Sequence, residues 1–226
     1  MQNEPFCIIH SALYIFQRLI EVCTRFYIDE NERLFAPVIA MAKKQKLARI
    51  FLDKGSPLIA GGEVKPTNVV PVVAPDPAGN KSVYPMKWGF TDSEHGKLII
   101  NARQESASYK PTFKELWKGH RCVIPASYYI EWQHYTTPSG RRVTGDKYAI
   151  QPVDSQVTWM CGLYRIEEGI PVFVVLTREP DSTTRDIHDR MPVIIPAERI
   201  VEWITPSNNP DEVMQSCLTS MIVEKQ

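Results

Sequence analysis

A chain of 226 residues is long enough to bury a real core and fits one domain of ordinary size, with or without an extension. Its 26 basic and 26 acidic residues cancel, so no global field selects a polyanionic partner, and any anionic ligand must be held by a local cluster. The five cysteines (Cys7, Cys23, Cys122, Cys161, Cys217) are odd in number, scattered and without a CxxC pair. That argues against a disulfide framework and a zinc site and points to a reducing cytoplasm, and no apolar run reaches the length of a membrane span.

Along the chain, Phe6, Ile9, Leu13, Phe16 and Ile20 recur at helical spacing and predict an amphipathic helix within residues 1–22. Glu4 and the lack of a small-residue cleavage site argue against a signal peptide. A helical stretch is expected from Tyr27 to Asp53, with Asp29 and Asn31 as N-cap candidates and Pro37 as a break. Val69 to Val73 reads as a short buried strand, and Leu98-Ile99-Ile100 as a strand that delivers Asn101 to Glu105 at its end. A helical turn or two is expected over Pro111–Trp117. Strands follow over Arg121–Pro125, Tyr128–Trp132, Lys147–Ile150, Val157–Tyr164 and Ile170–Thr177, with an exposed hairpin tip at Thr136–Asp146. Their short spacing is an antiparallel signature. A polar loop from Thr183 to Met191 precedes the apolar Pro192–Ile195, and helices are expected over Pro196–Trp203 and Asn209–Leu218. With no repeat and no low-complexity linker, one α+β domain follows.

Four polar features stand out. Glu131 lies between Ile130 and Trp132 in an aromatic strand, where burial would be costly and would raise its pKa, unless it shares a surface face with Tyr129 and Gln133. His188 lies among Asp186, Asp189 and Arg190, as a catalyst or as a plain loop histidine. Asn101 and Arg103, two apart on a strand, share a face, where they either serve a site or cap the strand end. Cys23, were it the first residue, would carry both a thiol and a free α-amine, a 1,2-aminothiol able to trap an aldehyde as a thiazolidine ring.

Six stretches, taken in order, resemble the SRAP (SOS response-associated peptidase) family. They are Cys23 to Phe26; Pro66-Thr67 with Val70-Pro71-Val72; Trp88-Gly89-Phe90; Asn101 to Glu105; Arg121 to Ala126 through Glu131-Trp132; and Ile187 to Pro192. The resemblance implies a single α+β domain over residues 23–226, mainly antiparallel and barrel-like with flanking helices. It implies no cofactor, no metal and a monomer that crosslinks itself to abasic sites in single-stranded DNA. Cys23 would be the nucleophile, Glu131 would position and deprotonate it, His188 would act as general acid and base, and Asn101 would orient the sugar. Arg25, Arg103 and Arg190 would hold phosphates, and Trp88 would stack on bases beside the lesion or belong to the core. Two departures are Thr24 for the usual Gly and Tyr128-Tyr129-Ile130 for the usual Gly-Phe-Tyr. Residues 1–22 also precede a cysteine that the family places first. They are expected to reflect a start assigned too far upstream, with initiation at Val22 through a GUG codon, or else a genuine N-terminal helix. The other functional readings are a cysteine-type autopeptidase and a non-catalytic single-strand binder.

Overall fold

The computed structural model describes residues 23–153 and 155–226, so the helix expected within residues 1–22 lies outside the described residues. Strand β1 (Arg25–Ile28) comes first, with Phe26 and Ile28 buried and Arg25 and Tyr27 half-buried on the other face. This corrects the start of the expected helix, because Tyr27 and Ile28 are claimed by strand pairing. Helix begins only at α1 (Phe35–Lys44) and resumes after Gln45 as α2 (Lys46–Asp53). Pro37 breaks nothing, since it sits in the first turn of α1, where its missing N–H would have had no partner. Asp29 caps no helix; its carboxylate accepts the Asn31 N–H in a turn before α1.

The chain then runs through β2 (Gly62–Val64), β3 (Val69–Pro75), β4 (Lys81–Trp88), β5 (Phe90–Asp92), β6 (Lys97–Ile99) and β7 (Asn101–Arg103). Two short helices, α3 (Gln104–Ala107) and α4 (Lys114–Gly119), lead to β8 (Arg121–Ala126), β9 (Tyr128–Thr136), β10 (Arg142–Pro152), β11 (Thr158–Glu167) and β12 (Ile170–Arg178). The two-residue β13 (Met191–Pro192), α5 (Ile200–Ile204), α6 (Pro210–Met214) and β14 (Met221–Lys225) complete it. The expected hairpin tip shrinks to residues 137–141, because β9 and β10 pair as far as Thr136 and Arg142. The last helix is shorter than expected, starting at Pro210 behind the Asn209 cap and ending at Met214. Strand β14 was not expected at all; it exists by pairing with β10.

One sheet runs β14-β10-β9-β1-β2. A second follows β11-β8-β3-β4-β12, with β7 and β13 also paired to β12, and a further β11–β12 pairing closes the five strands into a barrel, while β5 and β6 pair as a separate two-stranded sheet. Closure leaves these strands without free edges. Among the described residues the named strands pair antiparallel except for β12 with β4 and with β7, so the strands are mainly antiparallel and barrel-like, as expected.

Alternate residues of β3, β8, β11 and β12 face two cores. Val72, Ile124, Met160 and Phe173 meet Phe26, Tyr129 and Ile150 from the five-stranded sheet, while Val73, Val123, Leu163 and Val174 meet Trp117, Trp203 and Val213 from the helices. Covered on both faces, such strands read as unbroken apolar runs. Gly162 is obligatory here: a Cβ would lie 2.6 Å from both Ile124 Cδ1 and the Val174 carbonyl oxygen. Arg121, fully buried, stabilises the helical layer by donating to the carbonyls of Trp117 and Lys118 near the end of α4 and of Trp203, Thr205 and Asn208 at and beyond the end of α5.

Candidate active site

Antiparallel pairing of β1 with β9 sets Arg25 opposite Ile130 and Phe26 opposite Tyr129, so the residues just before β1 lie level with Glu131 and beyond. There the backbone turns. Cys23 adopts a positive φ of 50°, a left-handed conformation unfavourable for a side-chain-bearing residue, and its N–H donates to Glu131 Oε2 at 2.9 Å. Both residues are buried. Burial pushes the Cys23 thiol well above its ordinary value, and the negative charge of Glu131 adds to that.

Glu131 shares an inward face with Tyr129, which settles between the two sequence readings in favour of the buried carboxylate. Desolvation raises its pKa from 4.5 to about 8, against the opposing hydrogen bonds from the Cys23 and Trp132 N–H groups. His188 completes the group, with Nε2 3.6 Å from Glu131 Oε1. It is buried and held by its loop. Asp181 Oδ1 accepts the N–H groups of Thr183 and Thr184, the Thr184 carbonyl accepts the His188 N–H, and the Ile187 carbonyl accepts the His134 N–H of β9. On its far side, Nδ1 takes the Arg190 N–H (3.1 Å) when bare and donates to Asp189 Oδ1 (2.9 Å) when protonated.

Glu131 binds its proton more tightly in the folded chain than in the unfolded one. Its contribution to stability is thus fully present below about pH 4.5 and is lost as pH rises through about 8. Glu131→Gln, which fixes the neutral form, is expected to flatten the fall in unfolding free energy between those limits, by at most about 5 kcal/mol. Denaturant titrations of both proteins across this range would show it; parallel curves would put the Glu131 pKa near its ordinary value.

The other candidates are distributed differently. Asn101 is half-buried at the start of β7, opposite Val175 of β12, and Arg103 is exposed at the end of the same strand. Trp88 is a core residue, the second of its two sequence readings. It is fully buried between Phe26 (centroids 5.2 Å apart) and Phe173 (6.1 Å), and its Nε1 donates to the Ile100 carbonyl, so it pins the two sheets together. Arg190 is engaged within the fold. Its guanidinium forms a two-pronged pair with Glu105, both bonds 2.8 Å, and donates to the Thr177 carbonyl, as a largely buried charge must. It fastens the His188 loop to α3.

Arg25 pairs with Glu63 (3.2 Å), and Lys65 (3.8 Å) and Lys147 (3.3 Å) share that carboxylate. Three cations on one anion make a local positive cluster two residues from Cys23. Sequence reasoning missed Lys65, Lys147 and Glu63, because only the β1–β2 pairing and the β9–β10 bulge bring them together. A cavity of about 470 Å³ lined by Leu47, Tyr84, Met86, Tyr164 and Ile166 shares no residue with the Cys23 group. Among the described residues no cluster of His, Cys, Asp or Glu is placed to hold a metal, and no helix is long and apolar enough to cross a membrane.

The profile of a family described as SOS response associated peptidase (SRAP) matches residues 22–225. The abasic site processing protein YoqW of Bacillus subtilis (strain 168) is 32% identical over 165 residues, 69% of this chain and 71% of that protein. The abasic site processing protein YedK of Escherichia coli (strain K12) is 31% identical over 128 residues, 53% of this chain and 54% of its own. A crystal structure of a protein from Bacteroides thetaiotaomicron superposes with a TM-score of 0.67 at 20% identity, covering 90% of this chain and 91% of the other, a likeness of fold.

Proposed function

The chain belongs to the SOS response associated peptidase family, and from that premise we propose that it captures abasic sites in single-stranded DNA as a covalent thiazolidine on Cys23. The observation that carries this reading is the Cys23 nitrogen 2.9 Å from a buried carboxylate, with His188 on the other oxygen of that carboxylate. The names of YoqW and YedK support the substrate class.

The reaction starts from a chain whose first residue is Cys23. Its α-amine has an ordinary pKa of about 8, and the Glu131 carboxylate beside it takes the proton from the ammonium. The neutral amine adds to the aldehyde carbon of the open abasic sugar, and the carbinolamine loses water with a proton from His188 to give an iminium. Glu131 passes the proton it took from the ammonium to the imidazole of His188 and is a carboxylate again; the thiol then adds to the C=N carbon, its proton passes to Glu131, and the ring closes. Asn101 orients the sugar. Where Val22 is still attached, hydrolysis of the Val22–Cys23 bond would free the amine, a peptidase step favoured by the strained backbone at Cys23.

Binding relies on phosphate contacts from Arg25 with its neighbours Lys65 and Lys147, and from Arg103, by a monomer. The test is intact mass after incubating the Cys23-start protein with an abasic oligonucleotide: the chain should gain the oligonucleotide less one water, and no adduct at all would refute the reading. Grip and chemistry separate in Arg103→Ala. Affinity should fall, with the log–log salt slope shallower by about 0.7, while adduct yield at saturating DNA changes less. An unchanged slope would remove Arg103 from the interface.

A further inference from the structure

Tyr129 stands two residues before Glu131 on β9 and therefore on the same inward face, in the core cluster that contains Cys23. Its side chain is 1% exposed, and its hydroxyl has no hydrogen-bond partner among the described residues. A phenylalanine would bury the same ring without stripping water from a hydroxyl, so the oxygen is a cost to the resting fold. Burial first, then the charges of Cys23, Glu131 and Asp181, hold that hydroxyl well above its ordinary pKa, and so it stays a proton donor.

Of these three neighbours, Glu131 already receives the Cys23 and Trp132 N–H groups, and Asp181 spends one oxygen on Thr183 and Thr184. The Cys23 sulfur, in contrast, must carry developing negative charge in a site where burial and Glu131 both oppose it. We infer that Tyr129 is a further catalytic residue for ring closure, its hydroxyl donating a hydrogen bond to the Cys23 sulfur as the thiol adds to the iminium. The inference rests on the crosslinking reaction proposed above. In that step the Sγ–C bond forms, the C=N π pair moves onto nitrogen, the thiol proton passes to the Glu131 carboxylate, and Tyr129 keeps its own proton. The pattern that the chain resembles has Phe at this position, so the hydroxyl tunes the step and is not indispensable.

The test compares Cys23-start protein with its Tyr129→Phe variant on abasic single-stranded DNA, reading two steps separately. Cyanoborohydride traps the iminium, and a heat-stable adduct formed without hydride reports the closed ring. The variant should form the trapped species at the parent rate, close the ring about tenfold more slowly, as loss of a hydrogen bond to a charged group does, and unfold at the same temperature or higher. Equal ring-closure rates, equal slowing of both steps, or a lowered unfolding temperature would each overturn the inference. The last would assign the hydroxyl to the fold, with Asp181 Oδ2, itself buried and without a partner among the described residues, as its acceptor. If the parent protein yields neither product, the crosslinking reading itself fails, an outcome distinct from a parent that reacts and a variant that matches it.

Discussion

Cys23→Ala, in a chain beginning at residue 23, is expected to abolish the heat-stable adduct with abasic single-stranded DNA, while Cys122→Ala and Cys161→Ala retain it. Burial does not separate these thiols. All three are buried, and desolvation raises all three well above their ordinary value. Place in the chain separates them, because only Cys23 brings its own nitrogen to Glu131, and only a residue with amine and thiol on adjacent carbons can close a five-membered ring. The alanine variant keeps its α-amine and should still form an imine, trappable by hydride but lost on heating. Cys122 and Cys161 sit in the closed barrel, where truncation costs packing, so their variants need an unfolding measurement beside the adduct assay. A well-folded Cys161→Ala protein that lost the adduct would count decisively against Cys23.

The fold was legible where burial on two faces wrote itself into the residues. Val69 to Val73 and Arg121 to Pro125 lie in strands β3 and β8 as expected, because both faces of these barrel strands are covered. Tyr27 and Ile28 were misread because Asp29 and Asn31 look like helix caps and a helix-forming run follows. Their strand exists only through partners at residues 62–64 and 128–130. β14 alternates too weakly to declare itself, and the parallel pairings of β12 depend on crossovers that no local pattern encodes.

At the site, resemblance named Cys23, Glu131 and His188, and only folding shows that the first and second meet across 108 positions of sequence. It also named Trp88 and Arg190 without their surroundings. A tryptophan whose Nε1 donates to Ile100 and an arginine paired with Glu105, 85 positions away, are held by contacts that lie outside their own motifs. Tyr129 was visible as the residue sharing Glu131's face; what the sequence could not say was that the face is buried.

Retaining Val22 on Cys23 is expected to eliminate crosslinking without eliminating binding. In a peptide bond the nitrogen lone pair is delocalised into the preceding carbonyl, so it is no nucleophile toward an aldehyde. The hydrogen bond to Glu131 uses that nitrogen as a donor, the reverse of the role the reaction requires. The thiol acting alone gives a hemithioacetal that reverts on denaturation. The residues proposed to meet phosphates, Arg25, Lys65, Lys147 and Arg103, are the same in both forms, so the chain of residues 1–226 should bind abasic single-stranded DNA and run free of it on a denaturing gel, whereas the Cys23-start chain should not run free.

A second readout follows from Glu131. Beside a neutral amide N–H its pKa is about 8, but beside a free α-ammonium the opposite charge favours the carboxylate and lowers it. The Glu131-dependent loss of stability with rising pH should therefore be smaller in the Cys23-start chain than in the chain of residues 1–226. If the chain of residues 1–226 removes its own first 22 residues, adduct should appear after a lag that matches the appearance of the Cys23 terminus by intact mass. If it crosslinks at once, with Val22 still attached, the thiazolidine mechanism is wrong for this protein and the nucleophile must be a side-chain amine elsewhere.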